Sequence, residues 1–438
     1  MFVNIYNDNV IIDNEKIIMQ NAKNKDIAKM RKDTLDCLNY MFERIDSYKV
    51  VSKKLEDIDI DADNIYVVSV GKASVSMAKA ALEKLNIKDG IVVTNKSCLN
   101  CKLRCIKSSH PTPSKKSIES ANAAIEILKK AKKDDVVLFL ISGGASAMFE
   151  LSYVSLESLI ATNDILIKSG MDIRDINCIR KHLSRIKGGK ITLYTSAKIY
   201  SFIVSDVANN DLSSIASGLT YFDNTTFDDA VSLVKRYKLF NKLPNEVLRF
   251  LISKESRFET VKKDFFPFDR VENFIVSDNK KACMLVEDCL RNKGYSILNS
   301  GSYLTLDVRD AACYIVKKIQ KMDRLSAMVI GGEVTVNVQG SGIGGRNQEL
   351  ALFVAEKIQN ENNTAFMACA TDGKDGNSPS SGAIVDGDTI KRSLRLGINY
   401  KQYLKNNDSY SFFQLLKDDI SITDTNTNIA DIYISIRF

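Results

Sequence analysis

No apolar run reaches the ~18 residues that a membrane-spanning helix needs, so a membrane-embedded protein is not expected. The N-terminus, Met1-Phe2-Val3-Asn4-Ile5-Tyr6-Asn7-Asp8, lacks the basic-then-apolar grammar of a secretory signal, which predicts a cytoplasmic protein. Histidine is scarce: two in the chain, which excludes a multi-histidine metal centre. A basic tract is also missing. The 61 basic and 54 acidic residues leave +7 dispersed over the whole length, which argues against nucleic acid and suits a site for small anions equally well. Nine cysteines, an odd number scattered from Cys37 to Cys369, make no disulfide framework. Cys98, Cys101 and Cys105 have metal-like spacing, and His110 could complete a closed zinc site; free thiols in a reducing compartment are the competing reading.

What is present describes an ordinary globular chain. Apolar residues make up 45% and charged residues 26% of 438, which excludes wholesale disorder. At about 100–200 residues per domain, two or three domains are expected. The first residues are polar around a β-like apolar stretch, Val10-Ile11-Ile12, and residues 25–44 carry helical spacing (Ile27, Met30, Leu35, Leu38, Met41). From residue 64 the rhythm becomes strand, small-residue turn, helix. Strands are predicted at 65–70, 91–94, 136–141 and 199–204, with helices over 77–85, 117–132, 156–167 and 177–184. Continuous apolar strands alternating with helices predict a parallel sheet covered on both faces. A charged, proline-marked stretch at 254–270 has the composition of an inter-domain connection. Beyond it the alternation restarts, with strands at 274–276, 295–298, 327–330, 334–338 and 365–370 and helices to 293, over 310–321 and over 347–359. The prediction is two α/β domains of unequal size, residues 1–250 and 271–438, with the C-terminal segment able to pack back on the first.

Ligands of open α/β sheets gather at the carboxyl ends of strands, and four strands here end in turns suited to anions. Gly71-Lys72 offers a tight turn and an ammonium at a helix start, without the upstream glycine of a Walker A loop. Ser142-Gly143-Gly144-Ala145-Ser146 offers unpaired amides for a phosphate or carboxylate; a nucleophile elbow fails because Met148 stands where its second glycine belongs. Gly331-Gly332-Glu333 is followed by Gly340, Gly342 and Gly345 in a G-x-G-x-x-G pattern that opens on Arg346, Asn347 and a helix. Thr371-Asp372-Gly373-Lys374-Asp375 could hold Mg²⁺ through one or two carboxylates, while the ligand spacing of an EF-hand is absent. Asp206 could supply a carboxylate base or begin a turn, and His110 sits in a rigid Pro-flanked turn. Arg180 and Lys187 lie seven apart and could share a helical face. Anion cradles, basic residues and carboxylates together, without Walker A or protein-kinase signatures, point to phosphoryl transfer, whose demands are positioning and charge cancellation.

The same turns resemble those of the MOFRL-type glycerate 2-kinases (glycerate kinase type II). The matching stretches run in order from about residue 27 onward: Val70-Gly71-Lys72-Ala73, Ser109-His110-Pro111-Thr112-Pro113, Leu140 to Ala147, Asn177 to Ser184 with Lys187-Gly188-Gly189, Ser205-Asp206-Val207, Ala216-Ser217-Gly218, Gly331-Gly332-Glu333, Gly342 to Glu349, and Thr371-Asp372-Gly373 with Asp375-Gly376. The resemblance implies a larger Rossmann-like domain, a smaller MOFRL domain and an active site in the cleft between them. It further implies transfer of the ATP γ-phosphoryl to the 2-hydroxyl of D-glycerate, or a similar hydroxy acid, with Mg²⁺. Lys72 and Arg346 then occupy essential basic positions, and Asp206 stands as candidate base. Ser142, Gly143, Gly144, Ala145, Ser146, Arg180, Lys187, Gly344, Gly345, Asn347 and Thr371 are expected to bind substrate or nucleotide, and Asp372 and Glu333 the metal. A homodimer is compatible with the sequence.

Some positions depart from the family pattern. Asn209-Asn210 replace a Gly-Asp pair, Leu219 replaces a proline, Asn426 replaces a glycine, and Thr423-Asp424 replace a glycine-proline element. Asparagine tolerates positive φ, so these turns can survive. Two other functions fit parts of the sequence: an NAD(P)H-dependent hydroxypyruvate reductase, from the G-x-G-x-x-G match, and a catalytically inactive relative that binds nucleotide or a small acid.

Overall fold

The computed structural model describes residues 12–98, 102–298, 303–422 and 425–438. Val10 and Ile11 of the expected N-terminal β-like stretch, Cys101, Thr423 and Asp424 lie outside the described residues. The chain separates into two compact units, Ser47–Val276 and Met1–Asp46 with Ser277–Phe438.

In the Ser47–Val276 unit the strands are β1 (Ile65–Val70), β2 (Ile87–Thr94), β3 (Arg104–Lys107), β4 (Val136–Ile141), β5 (Lys198–Val204) and β6 (Val271–Ser277), in sheet order β3-β2-β1-β4-β5-β6. The pairs β1–β2, β1–β4, β2–β3 and β4–β5 are parallel. β1 and β4 are buried at every position, which is the signature of a strand covered on both faces. Tyr66, Val68 and Val70 join Val137, Phe139 and Ile141 and the inner face of helix Lys115–Lys130 in one core. A second core contains no strand; it is formed by helices Leu156–Lys168, Ile173–Leu183, Phe227–Arg236 and Asn245–Ser253 with Val154, Met171, Leu239 and Leu243 from the segments beside them.

Residues 254–270 are not a connection between domains. Val261 and Phe266 enter the sheet core, and Val261 exchanges backbone bonds with Asp223 (2.8 Å) and Gly188 (3.0 Å). Buried apolar anchors inside a charged stretch explain why composition misled.

The other unit holds β7 (Ser296–Ile297), β8 (Ser326–Gly332), β9 (Thr364–Ala370), β10 (Gly382–Asp386), β11 (Asp419–Ile420) and β12 (Asp431–Arg437), in order β11-β10-β9-β12-β8-β7. β12 runs antiparallel to both β8 and β9, so the C-terminal segment is central to this sheet. The strand expected at 334–338 is irregular, with one bridge from Thr335 to Asp307; its Thr/Asn alternation has no flanking strand to pair with. Residues 1–46, expected in the first domain, cluster with this unit. Helix Lys25–Ile45 is capped by Asn24, whose side chain accepts from the Ile27 amide. Its Arg31 is fully buried and donates to Asp386 (Nε, 2.9 Å) and Asp418 (Nη1, 2.7 Å).

Arg31→Met would leave buried Asp386 without its cation and buried Asp418 with Arg392 alone. We expect a loss of about 3–5 kcal/mol in the unfolding free energy of this unit, read from denaturant titration; a loss below about 1 kcal/mol would mean that the cluster carries little.

Candidate active site

Register places the ends of the parallel strands side by side: Val70 pairs with Val93 and Ile141, and Ile141 with Ile203. The three turns that follow are therefore neighbours, as at the ligand-binding edge of open α/β sheets. Gly71 has φ +124°, and a Cβ there would lie 2.3 Å from Ser142 Oγ. Only glycine permits this approach. Across the contact, the Lys72 amide donates to Gly143 O (2.9 Å) and the Ala73 amide to Ser142 Oγ (3.0 Å). Ser142 N is bonded to Val70 O and Ala145 N to Ser142 O, whereas the Gly143 and Gly144 amides have no acceptor among the described residues. Two donors at a strand end suit an anionic ligand. Gly144, at φ +86°, begins the short helix Ala145–Met148, and a Cβ on it would meet His110 Cδ2 at 3.0 Å. The imidazole of His110 thus stands against the turn.

Lys187 supports this turn from beneath. Its buried ammonium donates to Ser146 O (2.8 Å) and pairs with Glu150. Glu150 also accepts from Ser184 Oγ (2.6 Å) and the Leu151 amide (2.9 Å). Burial lowers the Lys187 pKa, and Glu150 opposes that shift. Arg180 donates through Nε to Asn163 (2.7 Å), and burial lowers its pKa too. The helical face expected to join Arg180 and Lys187 does not exist, because their helix ends at Leu183.

Asp206 follows β5, and Asn209 and Asn210 adopt φ +59° and +54°. The asparagines thus hold a left-handed turn where the family pattern has a Gly-Asp pair. Ala216, Ser217 and Gly218 continue at φ +48°, +57° and +66°, a conformation that costs non-glycine residues of order 1 kcal/mol. Ser217 Oγ lies 3.1 Å from Ser146 Oγ, so this strained turn adjoins the cradle.

In the second unit, Asp431 sits opposite both Gly332 and Ala370, which brings Glu333, Thr371 and Asp431 to one end of the sheet. Arg346 donates to both oxygens of buried Asp431 (2.6 and 3.2 Å) and to Glu333 (2.7 Å). Burial alone would lower the guanidinium pKa; Asp431 and Glu333 raise it above its ordinary range. Asn279 binds the Ile429 and Asp431 carbonyls (2.9 Å each), and a Cβ on Gly331 would collide with its Oδ1. Thr371 Oγ1 donates to Ala430 O (2.6 Å) and accepts from the Ile429 amide (2.9 Å). Thr425 Oγ1 donates to Thr371 O (2.6 Å), and Asn426 holds φ +50°.

The glycine-rich loop is built differently from an open anion cradle. The amides of Gln339 and Gly340 donate to Asn407 Oδ1, that of Gly342 to Asn406 O, that of Ile343 to Asp408 and that of Gly344 to Asn377. Its glycines let the loop lie against residues 406–409, where a Cβ at Gly340 or Gly344 would overlap the opposing chain at 2.2 or 2.3 Å. Asp375 occupies the start of helix Arg346–Lys357, accepting from the amides of Asn347 (3.0 Å) and Gln348 (2.7 Å) and from Asn347 Nδ2 (3.2 Å). A Cβ on Gly345 would overlap that carboxylate. Asp375 is thus a helix cap, which separates it from Asp372, whose Oδ1 accepts from the Lys374 amide.

Among the described residues no three His, Cys, Asp or Glu side chains converge as a metal cluster. Cys98 and Cys105 are joined as a disulfide, a different arrangement from the metal set expected of this segment. Glu150, Asn279, Asp431 and the 406–408 segment escaped sequence reasoning. The leading Asp of the alternating run Asp431-Ile432-Tyr433-Ile434 was the available signal for one of them.

Fold and site define a two-unit α/β protein whose parallel and mixed sheets both end in Cβ-intolerant turns carrying a basic residue. Residues 33–252 match a family model described as a domain of unknown function (DUF4147), and residues 326–431 match the MOFRL family. A glycerate 2-kinase of Pyrococcus horikoshii is 36% identical over 85% of this chain and 87% of its own. A D-glycerate 2-kinase of Thermotoga maritima is 32% identical over 94% and 99%. A crystal structure of a Thermotoga maritima glycerate kinase superposes with a TM-score of 0.84 at 32% identity, covering 94% of this chain and 100% of that one. The chain belongs to the MOFRL-type glycerate 2-kinase family.

Burial pushes the Asp375 carboxyl from its ordinary 3.8 up to about 7, against the pull of its three N–H donors. The folded state then binds the proton more tightly than the unfolded state, so this group lowers stability as pH rises from about 4 to 7. Asp375→Asn should remove that falling component from the unfolding free energy measured across the interval. An unchanged pH dependence would show that the amides hold Asp375 ionised throughout.

Proposed function

We propose that the protein transfers the γ-phosphoryl group of ATP to the 2-hydroxyl of D-glycerate, releasing ADP and 2-phosphoglycerate. The observation that carries this reading is the alignment of Gly71-Lys72, Ser142–Ser146 and Ser205-Asp206 at adjacent ends of one parallel sheet, with two glycine amides left for an anion. Family membership supplies the reaction.

In this reading the Gly143 and Gly144 amides bind an anionic group of a ligand, and Lys72 beside them offsets charge on the migrating phosphoryl. Asp206 takes the proton of the attacking hydroxyl. Arg346 serves the transition state from its place at the end of the mixed sheet, where Asp431 fixes the plane of its guanidinium. Lys187 and Glu150 act through the turn they hold. Thr371 holds the 425–430 segment in place, and Asn347, Gly344 and Gly345 hold the helix that presents Arg346. In this reading Asp372 and Glu333, the latter now paired with Arg346, would hold Mg²⁺, which when bound would neutralise charge on the triphosphate. The reductase reading finds less support, because the G-x-G-x-x-G loop follows no strand and its amides are engaged by residues 377 and 406–408.

Lys72→Ala should cut turnover by at least ~100-fold, the scale of losing one preorganised charge donor. For Arg346 the informative change is Arg346→Lys, which keeps a cation beside buried Asp431 while losing the bidentate fork; it should fall by at least ~10-fold with its unfolding midpoint retained. Wild-type turnover in both variants would refute these roles.

A further inference from the structure

Cys37, on helix Lys25–Ile45, and Cys289, on helix Asn279–Asn292, lie with their sulfurs 2.6 Å apart. Sulfurs merely in contact stand farther apart, and a disulfide bond is about 2.05 Å. Both helices belong to the same compact unit, so the approach is set by packing within one body. Cys37 is fully buried, while Cys289 keeps 9% of its surface exposed. Lys293, one turn beyond Cys289, is held in place by Asp33 (3.0 Å) and Asp36 (2.8 Å) of the facing helix. The Cys289 thiol is lowered below its ordinary range, chiefly by its hydrogen bond with Cys37, and Lys293 adds to that.

We propose that Cys37 and Cys289 form a reversible dithiol–disulfide site, oxidised by hydrogen peroxide, that covalently joins these two helices. In the first step the Cys289 thiolate attacks the peroxide: an S–O bond forms, the O–O bond breaks, and hydroxide leaves, giving a sulfenic acid. In the second step the Cys37 sulfur displaces the sulfenic oxygen: the S–S bond forms, the S–O bond breaks, and water leaves with the Cys37 proton. Two electrons pass from the two sulfurs to one peroxide, and an external thiol reverses the reaction by exchange. The site has a route to the Arg346 end of the sheet. The oxidised helix begins at Asn279, which binds the carbonyls of Ile429 and Asp431 and packs on Gly331. The proposal does not depend on the identity of the reaction catalysed.

The test treats the folded full-length protein with hydrogen peroxide, then denatures it in N-ethylmaleimide and maps the peptides by mass spectrometry. We expect a Cys37–Cys289 linked peptide, two hydrogens lighter than its separate halves, that disappears after dithiothreitol. Cys37→Ser should stop at the first step, leaving Cys289 as a sulfenic acid trapped by dimedone. The link closes a separation of 252 residues, so oxidised wild type should unfold at a higher temperature than reduced protein, and Cys37→Ser should show no such rise. Complete maleimide labelling of both cysteines after peroxide, or pairing of either with another cysteine, would overturn the proposal. The wild-type map decides the matter even if a variant fails to fold.

Discussion

A single carbon atom cannot be added at residue 71. Gly71 and Ser142 meet backbone to backbone at the ends of β1 and β4, and a Cβ would stand 2.3 Å from one serine atom and 2.4 Å from another. That contact lets two strand-to-helix turns share hydrogen bonds, places Lys72 beside the Gly143-Gly144 amides, and fixes how far apart these groups stand. The mixed sheet repeats the device. Gly331 leaves room for Asn279, Gly345 for the Asp375 carboxylate, and Gly340 and Gly344 for residues 406–409. Absent side chains, more than present ones, set how closely these turns and loops approach.

Charges are handled by the same economy of space. Lys187 pairs with Glu150 and Arg346 with Asp431, each cation meeting a carboxylate that is itself buried. Such pairs contribute little net stability, since desolvation offsets their attraction. Their value here lies in orientation. Lys187 binds the carbonyl of Ser146 and so steadies the Ser142–Ser146 turn, and Asp431 holds a flat guanidinium by two oxygens. Most cations singled out by the sequence thus prove to be anchored ones, and an anchored cation needs no reorganisation when charge develops nearby.

The parallel sheet was legible because its strands leave no ambiguity. Val136–Ile141 is an uninterrupted apolar run and Ile65–Val70 is interrupted only by Ser69; serine and glycine follow them, and the observed strands match them residue for residue. The mixed sheet was harder. Its central strand, β12, comes last in the chain, and pairing across more than 60 residues leaves no local trace. Helix Lys25–Ile45 was visible as a helix, but its unit was not, because that depends on Arg31 finding Asp386 and Asp418 more than 350 residues away. The glycine motif shows the limit most clearly. Its pattern is that of an anion loop, yet partners at 377 and 406–408 use its amides, and spacing alone cannot distinguish a vacancy for phosphate from one for the protein's own backbone. Asparagine at 209, 210 and 426 was legible in the opposite sense: all three adopt the positive φ that their chemistry allows.

The decisive experiment incubates the purified protein with ATP, Mg²⁺ and D-glycerate, follows ADP through a coupled assay and identifies the product by phosphorus NMR. ADP release dependent on D-glycerate, with 2-phosphoglycerate as the phosphorylated product, is the predicted result. Consumption of NADH with hydroxypyruvate, with no glycerate-dependent ADP, would contradict it.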